Sequence, residues 1–111
     1  MIISELIKEK YNRFLSLCKA HRVKKLYAFG SAVSGGFDPD KSDIDLLVEI
    51  EEKDPVEKGD LLLHFFTEIE KLFNRRVDLL TDQPIENPYL KSSVEKNKVL
   101  IYDGEREKVL V

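Results

Sequence analysis

Ser42-Asp43-Ile44-Asp45-Leu46-Leu47-Val48-Glu49-Ile50, with Phe29-Gly30-Ser31 upstream of it, decides how this chain folds and what it can do. The composition of residues 44–50 predicts a strand. Side chains alternate between the two faces of a strand, so Asp43 and Asp45 share one face while Ile44, Leu46, Val48 and Ile50 share the other. Two carboxylates side by side repel each other. A chain that keeps them next to a row of buried aliphatics has a cation or a substrate to relieve that repulsion, and a divalent metal ion is the first candidate.

Just upstream, Leu26-Tyr27-Ala28-Phe29 is a short apolar run stopped by Gly30, which predicts a buried first strand. Ser31 suits a helix N-cap, so Ser31 to Ser34 is expected to open a short helical turn that Gly35-Gly36 breaks before the Phe37-Asp38-Pro39-Asp40 loop. Further back, Ile3, Ile7, Tyr11, Phe14, Leu15 and Cys18 recur at three- and four-residue steps, and the spacing predicts one amphipathic helix from about Ser4 to Ala20. His21 to Lys25 then reads as a basic link.

Downstream, the charged run Glu51 to Gly59, which contains Pro55, reads as a solvated loop. Leu62, Phe65, Phe66, Ile69, Leu72 and Phe73 form a second helical stripe, opposed by Asp60, His64, Thr67, Glu68 and Lys71. Residues 76–81, Arg76-Val77-Asp78-Leu79-Leu80-Thr81, predict a third strand with Asp78 as the one acid in an apolar run. A loop at Asp82 to Glu86, with Pro84, precedes Asn87-Pro88, an N-cap and first-turn proline for a helix to about Lys96, with Asn97 suited to a left-handed C-terminal position. Val99-Leu100-Ile101-Tyr102 predicts a last strand closed by an Asp103-Gly104 turn, and no element is predicted for the tail, Glu105 to Val111. The expected architecture is a single α/β (α+β) domain over residues 1–111, a small mixed sheet covered by helices.

The balance of 21 acids against 18 bases gives no broad basic footprint of the kind that grips nucleic acid. The one cysteine, Cys18, excludes an internal disulfide and lies on a helical apolar stripe, as a buried reduced thiol would. Charges interrupt the first apolar residues, unlike a signal peptide, and no run reaches the roughly 20 apolar residues of a membrane span, so a cytoplasmic location is expected. His21 and His64 read as solvated side chains. Lys24 and Lys25, or Arg75 and Arg76, could neutralise phosphate but read first as flanks of strands.

Asp43 and Asp45 together, and Asp78 on another strand, can converge on one or two Mg2+ ions, a hard cation that takes oxygen ligands and completes its shell from water and substrate phosphates. A Gly-Ser turn opening a helix supplies N–H groups and a hydroxyl for those phosphates, and Gly30 lets a phosphate approach the backbone. Together these parts describe nucleotidyl transfer.

On these residues the chain resembles the minimal nucleotidyltransferases of the DNA polymerase beta-like superfamily. That family's pattern is an apolar residue, Gly, Gly or Ser, a spacer, Asp-x-Asp or Asp-x-Glu, then a third acid on a later strand. Here it reads Phe29-Gly30-Ser31, a spacer of eleven residues, Asp43-Ile44-Asp45 and Asp78. The resemblance implies that Asp43, Asp45 and Asp78 are the catalytic and metal-binding residues, with Asp78 also helping to activate the acceptor hydroxyl. It implies that Gly30 and Ser31 bind the nucleotide, with Mg2+, two ions, as cofactor and ATP as substrate. Family members of this size are similar to the antitoxins of toxin–antitoxin pairs. The resemblance therefore implies transfer of AMP to a tyrosine hydroxyl of a partner HEPN-domain toxin encoded nearby. Two other functions stay open: an antitoxin that neutralises its toxin by binding alone, and a transferase acting on RNA or on a small hydroxylated compound.

Overall fold

The computed structural model describes residues 2–38, 40–81 and 85–111. The alternating stretch forms β2 (Ile44–Ile50), with the bounds its pattern predicts. It pairs antiparallel with β1 (Val23–Phe29) and parallel with β3 (Val77–Thr81). On its other edge β1 pairs antiparallel with β4 (Val99–Asp103), and β4 pairs with the short β5 (Lys108–Val109). The sheet order is β3-β2-β1-β4-β5, a mixed sheet. The tail therefore has a place after all, as an edge strand, with Val109 buried against the core.

One face of the sheet carries Leu26, Ala28, Ile44, Leu46 and Val48, and it packs under Ile3, Ile7, Phe14, Cys18, Phe65 and Ile69. These come from three helices, α1 (Ile2–Glu9), α2 (Tyr11–Ala20) and α4 (Pro55–Phe73). The opposite face is thinly covered. There Phe29 and Leu47 form a small second core with Val94 of α5 (Pro88–Asn97), and Tyr27, Leu80 and Ile85 pack around it.

Several expected boundaries move, each for a local reason. The predicted first helix is two helices, because Lys10 leaves helical geometry at φ −134° and ψ 40°. Its ammonium donates to the Leu72 carbonyl 2.8 Å away, near the end of α4. The bend lets α1 pack against the short helix that follows β1 while α2 packs against α4, and it leaves Tyr11, read as part of the stripe, 45% exposed. The first strand starts at Val23, so Lys24 and Lys25 lie within it and are half-buried rather than in a link.

Pro55 opens α4 rather than sitting in a loop. Asp54 caps the helix by accepting from the Val56 N–H at 3.0 Å, and proline needs no hydrogen-bond partner in a first turn. Asn74, at φ 52°, ends the helix in the left-handed conformation. Asn87 caps α5 as expected, its side-chain oxygen accepting from the Tyr89 and Leu90 N–H groups. Asn97, however, is helical and donates to the Ser93 carbonyl at 2.9 Å, while the following Lys98 is extended. The loops read at Phe37 to Asp40 and Asp82 to Glu86 fall in part on residues 39 and 82–84, which lie outside the described residues. Cys18 is buried, and burial pushes its thiol well above the ordinary range, as befits a core residue. His21 is not simply solvated: Nδ1 lies 2.8 Å from the Leu17 carbonyl, and the ring meets Phe65 edge-on. No helix among the described residues is long and apolar enough to cross a membrane.

Candidate active site

Because β1 and β2 are antiparallel, the end of β1 lies beside the start of β2, and Phe29 pairs with Asp45. Because β2 and β3 are parallel, the start of β3 lies at the same end, and Asp78 is the register partner of Asp45. Partners in a parallel ladder stand about 4.8 Å apart and point to the same face. Asp45 and Asp78 are therefore lateral neighbours, and Asp43 shares their face by the strand's alternation. It is the thinly covered face of the sheet, opposite the row of Ile44, Leu46 and Val48.

Electrostatics register this crowding. The Asp45 carboxyl is pushed above the ordinary carboxylate range, first by burial, then by the charge of Asp78, then by that of Asp43. Asp43 and Asp78 are exposed. Among the described residues Asp78 forms no ion pair, so pairing with Arg75 or Arg76, a plausible use of a lone acid, is not what occupies it. Among the described residues no three His, Cys, Asp or Glu side chains are gathered into a ready metal-ligand set. Asp45 and Asp78 are neighbours by strand register, and Asp43, two residues before Asp45, acts on it by its charge, so Asp45 is at the centre.

The turn after β1 closes on that centre. Gly30 adopts φ 66° and ψ −148°, a conformation that favours glycine. A Cβ there would stand 2.4 Å from Asp45 Oδ2. Gly30, and not Ser31, is the capping residue of α3 (Ser31–Ser34), and no side chain caps this helix. Ser31 is instead its first helical residue and is half-buried. The expected N-cap role thus passes to the glycine, because the carboxylate of Asp45 occupies the space a larger residue would need. All five residues singled out in the sequence, Gly30, Ser31, Asp43, Asp45 and Asp78, meet at one end of the sheet.

The donor set fits a hard divalent cation in kind: carboxylate oxygens only, one of them already desolvated and disfavoured as an unpartnered anion. Two further residues border the site. Lys41 and Arg76 line a recess shared with Asp43. Arg76 belongs to the basic pair directly before the strand that carries the third acid, whereas Lys41 carries no signal in the sequence.

The family model for the nucleotidyltransferase domain matches residues 8–101. The chain belongs to that family. A Methanocaldococcus jannaschii protein provisionally named as a protein adenylyltransferase is 32% identical to this nucleotidyltransferase over 96 residues, which are 86% of this chain and 94% of that protein. A solved structure described provisionally as a minimal nucleotidyltransferase is 29% identical, with a TM-score of 0.58 over 86% of this chain and 92% of that one. A crystal structure of a toxin–antitoxin with AMP-PNP has the same fold, with a TM-score of 0.60 at 19% identity over 88% of this chain and 80% of that one.

Proposed function

We propose that this nucleotidyltransferase, acting as a single unit in the cytoplasm, transfers AMP from ATP to a tyrosine hydroxyl of a partner protein. We further propose that the partner is a HEPN-type toxin encoded nearby, which the modification silences. The observation that carries this reading is Asp45 held between two neighbours, Asp78 across the parallel ladder and Gly30 in the turn that follows its antiparallel partner Phe29. The provisional name of the Methanocaldococcus relative supports protein as the acceptor, and the toxin–antitoxin neighbour with AMP-PNP supports the nucleotide and the class of partner.

In this reading Asp43 and Asp45 would hold the metal ions, and Asp78 would complete the set. Bound Mg2+ would supply positive charge against the phosphates and the leaving group as negative charge shifts onto them. The turn at Gly30 and Ser31 receives the β- and γ-phosphates, its backbone unobstructed by a side chain at position 30. The tyrosine oxygen forms a bond to the α-phosphorus while the bond from that phosphorus to the bridging oxygen breaks. Pyrophosphate departs, and the hydroxyl proton passes to the carboxylate of Asp78.

The test is incubation with α-labelled ATP, Mg2+ and the protein encoded beside this one. Label is expected on that protein with the wild type and at least about a hundredfold less with Asp43→Asn plus Asp45→Asn. Equal labelling by the variant rejects the catalytic assignment. Full protection of cells by the unlabelling variant would show that binding alone neutralises the toxin.

A further inference from the structure

Past the acid-bearing end of the sheet, the turn before β2 and the turn before β3 enclose a recess of about 190 Å³. Lys41 and Asp43 line one wall, Arg75 and Arg76 the other, and Asp40 is the second acid among its lining residues. Both walls are fixed by hydrogen bonds. The Lys41 and Ser42 N–H groups donate to the Asp38 carbonyl at 3.2 and 2.8 Å, and the Asp38 N–H donates to Ser42 Oγ at 3.0 Å. Opposite, the Arg75 N–H reaches the Glu70 carbonyl, Glu70 Oε2 accepts from the Val77 N–H at 2.9 Å, and the Arg76 carbonyl accepts from the Ile44 N–H at 2.9 Å. That last bond ties the walls together. Arg75 is already engaged, its guanidinium 5.2 Å above the Phe37 ring. Among the described residues the Lys41 ammonium and the Arg76 guanidinium make no hydrogen bond or ion pair.

The recess lies on a definite side of the reacting centre. The Gly30–Ser31 turn follows β1, whereas the recess lies between the starts of β2 and β3, across Asp45 from that turn. In-line displacement at phosphorus puts the attacking oxygen opposite the leaving group. With pyrophosphate leaving toward Gly30, the acceptor comes in from the β3 side, past Lys41 and Arg76. Lys41 stands two residues before Asp43 and Arg76 two before Asp78, so two cations without partners flank acids that would repel an anionic visitor. Their charge suits a carboxylate, and the recess has room for one. With a net charge of −3, the chain is poorly made to neutralise several phosphates of a nucleic acid.

We propose that this recess is the acceptor subsite, and that Lys41 and Arg76 there hold a carboxylate that the acceptor protein presents beside the hydroxyl to be modified. The inference rests on the adenylyl-transfer reading and adds the chemistry of the acceptor to it.

The experiment uses two synthetic tyrosine peptides, identical except that glutamates flank the tyrosine in one and glutamines in the other, with α-labelled ATP and Mg2+. Two ion pairs at a partly exposed site favour the glutamate peptide by about tenfold in kcat/KM. Lys41→Gln plus Arg76→Gln brings that ratio to about one. A general loss of folding or nucleotide binding lowers both rates together and leaves the ratio as it was, so a ratio unchanged in the variant overturns the assignment, as does a wild-type ratio near one. Label on neither peptide, but still on the protein encoded alongside, overturns the acidic-acceptor inference and leaves the transferase reading intact. Label on no protein or peptide overturns both.

Discussion

At the scale of single residues, Asp45 ties stability to function. Its carboxyl is held above the ordinary range by burial, by Asp78 and by Asp43, so the folded state binds a proton more tightly than the unfolded chain does. Ionised Asp45 therefore costs the fold stability. The cost is complete above the raised folded-state pKa and is relieved as pH falls through that value toward the ordinary carboxylate range. Like charges facing across a ladder cost about 0.5 kcal/mol. Asp45→Asn should raise the melting temperature at neutral pH by about 2–4 °C, and this gain should shrink as the pH is lowered through that window. Thermal melts over a pH series check both statements, and a variant that melts below the wild type at neutral pH contradicts them. Gly30→Ala should do the reverse. Its methyl group would meet Asp45 Oδ2 in a backbone conformation unfavourable to alanine, so a loss of about 1–3 kcal/mol is expected in urea unfolding, together with loss of transfer.

At the scale of elements, the two faces of the sheet differ in what holds them. The face under α1, α2 and α4 is built from residues whose period is plain in the sequence, which is why β2 and the end of α4 are legible there, whereas the start of α4 at Pro55, set by the Asp54 cap, falls inside the run read as a loop. The other face depends on α5, whose one buried residue is Val94. Val94→Ala should cost about 2 kcal/mol and speed hydrogen exchange across residues 88–97 far more than across α4, because little else fastens this helix. Uniform acceleration in both helices would argue against separate anchoring. What the sequence concealed was tertiary in origin. The break at Lys10 exists because its ammonium reaches the Leu72 carbonyl, 62 positions away, and no local pattern encodes that contact. The pairing of Asp45 with Asp78 followed from the shared motif, but its cause, a parallel register between β2 and β3, belongs to topology rather than to composition. The recess at Lys41 and Arg76 was hidden for the same reason, since its walls come from turns 30 residues and more apart in the chain.

At the scale of the whole molecule, the site is assembled from positions 30, 43, 45 and 78, on or directly beside three strands, so it exists only while the sheet is intact. A ligand that needs all of them binds the native state and not the unfolded chain, and it stabilises by mass action, about 2.7 kcal/mol when present at a hundred times its Kd. For a chain of this size that corresponds to a rise in melting temperature of about 10 °C. Mg2+ with a non-hydrolysable ATP analogue should produce that rise in the wild type. Asp43→Asn plus Asp45→Asn should behave oppositely in the two conditions, since without ligand it is relieved of carboxylate repulsion and melts above the wild type, while with ligand it gains little. The two proteins therefore exchange order when ligand is added. A merely damaged fold would leave the variant lower in both conditions, and a vestigial acid site would leave it higher in both, so the crossing is specific to carboxylates kept together, at a cost in stability, for the cation they are to hold.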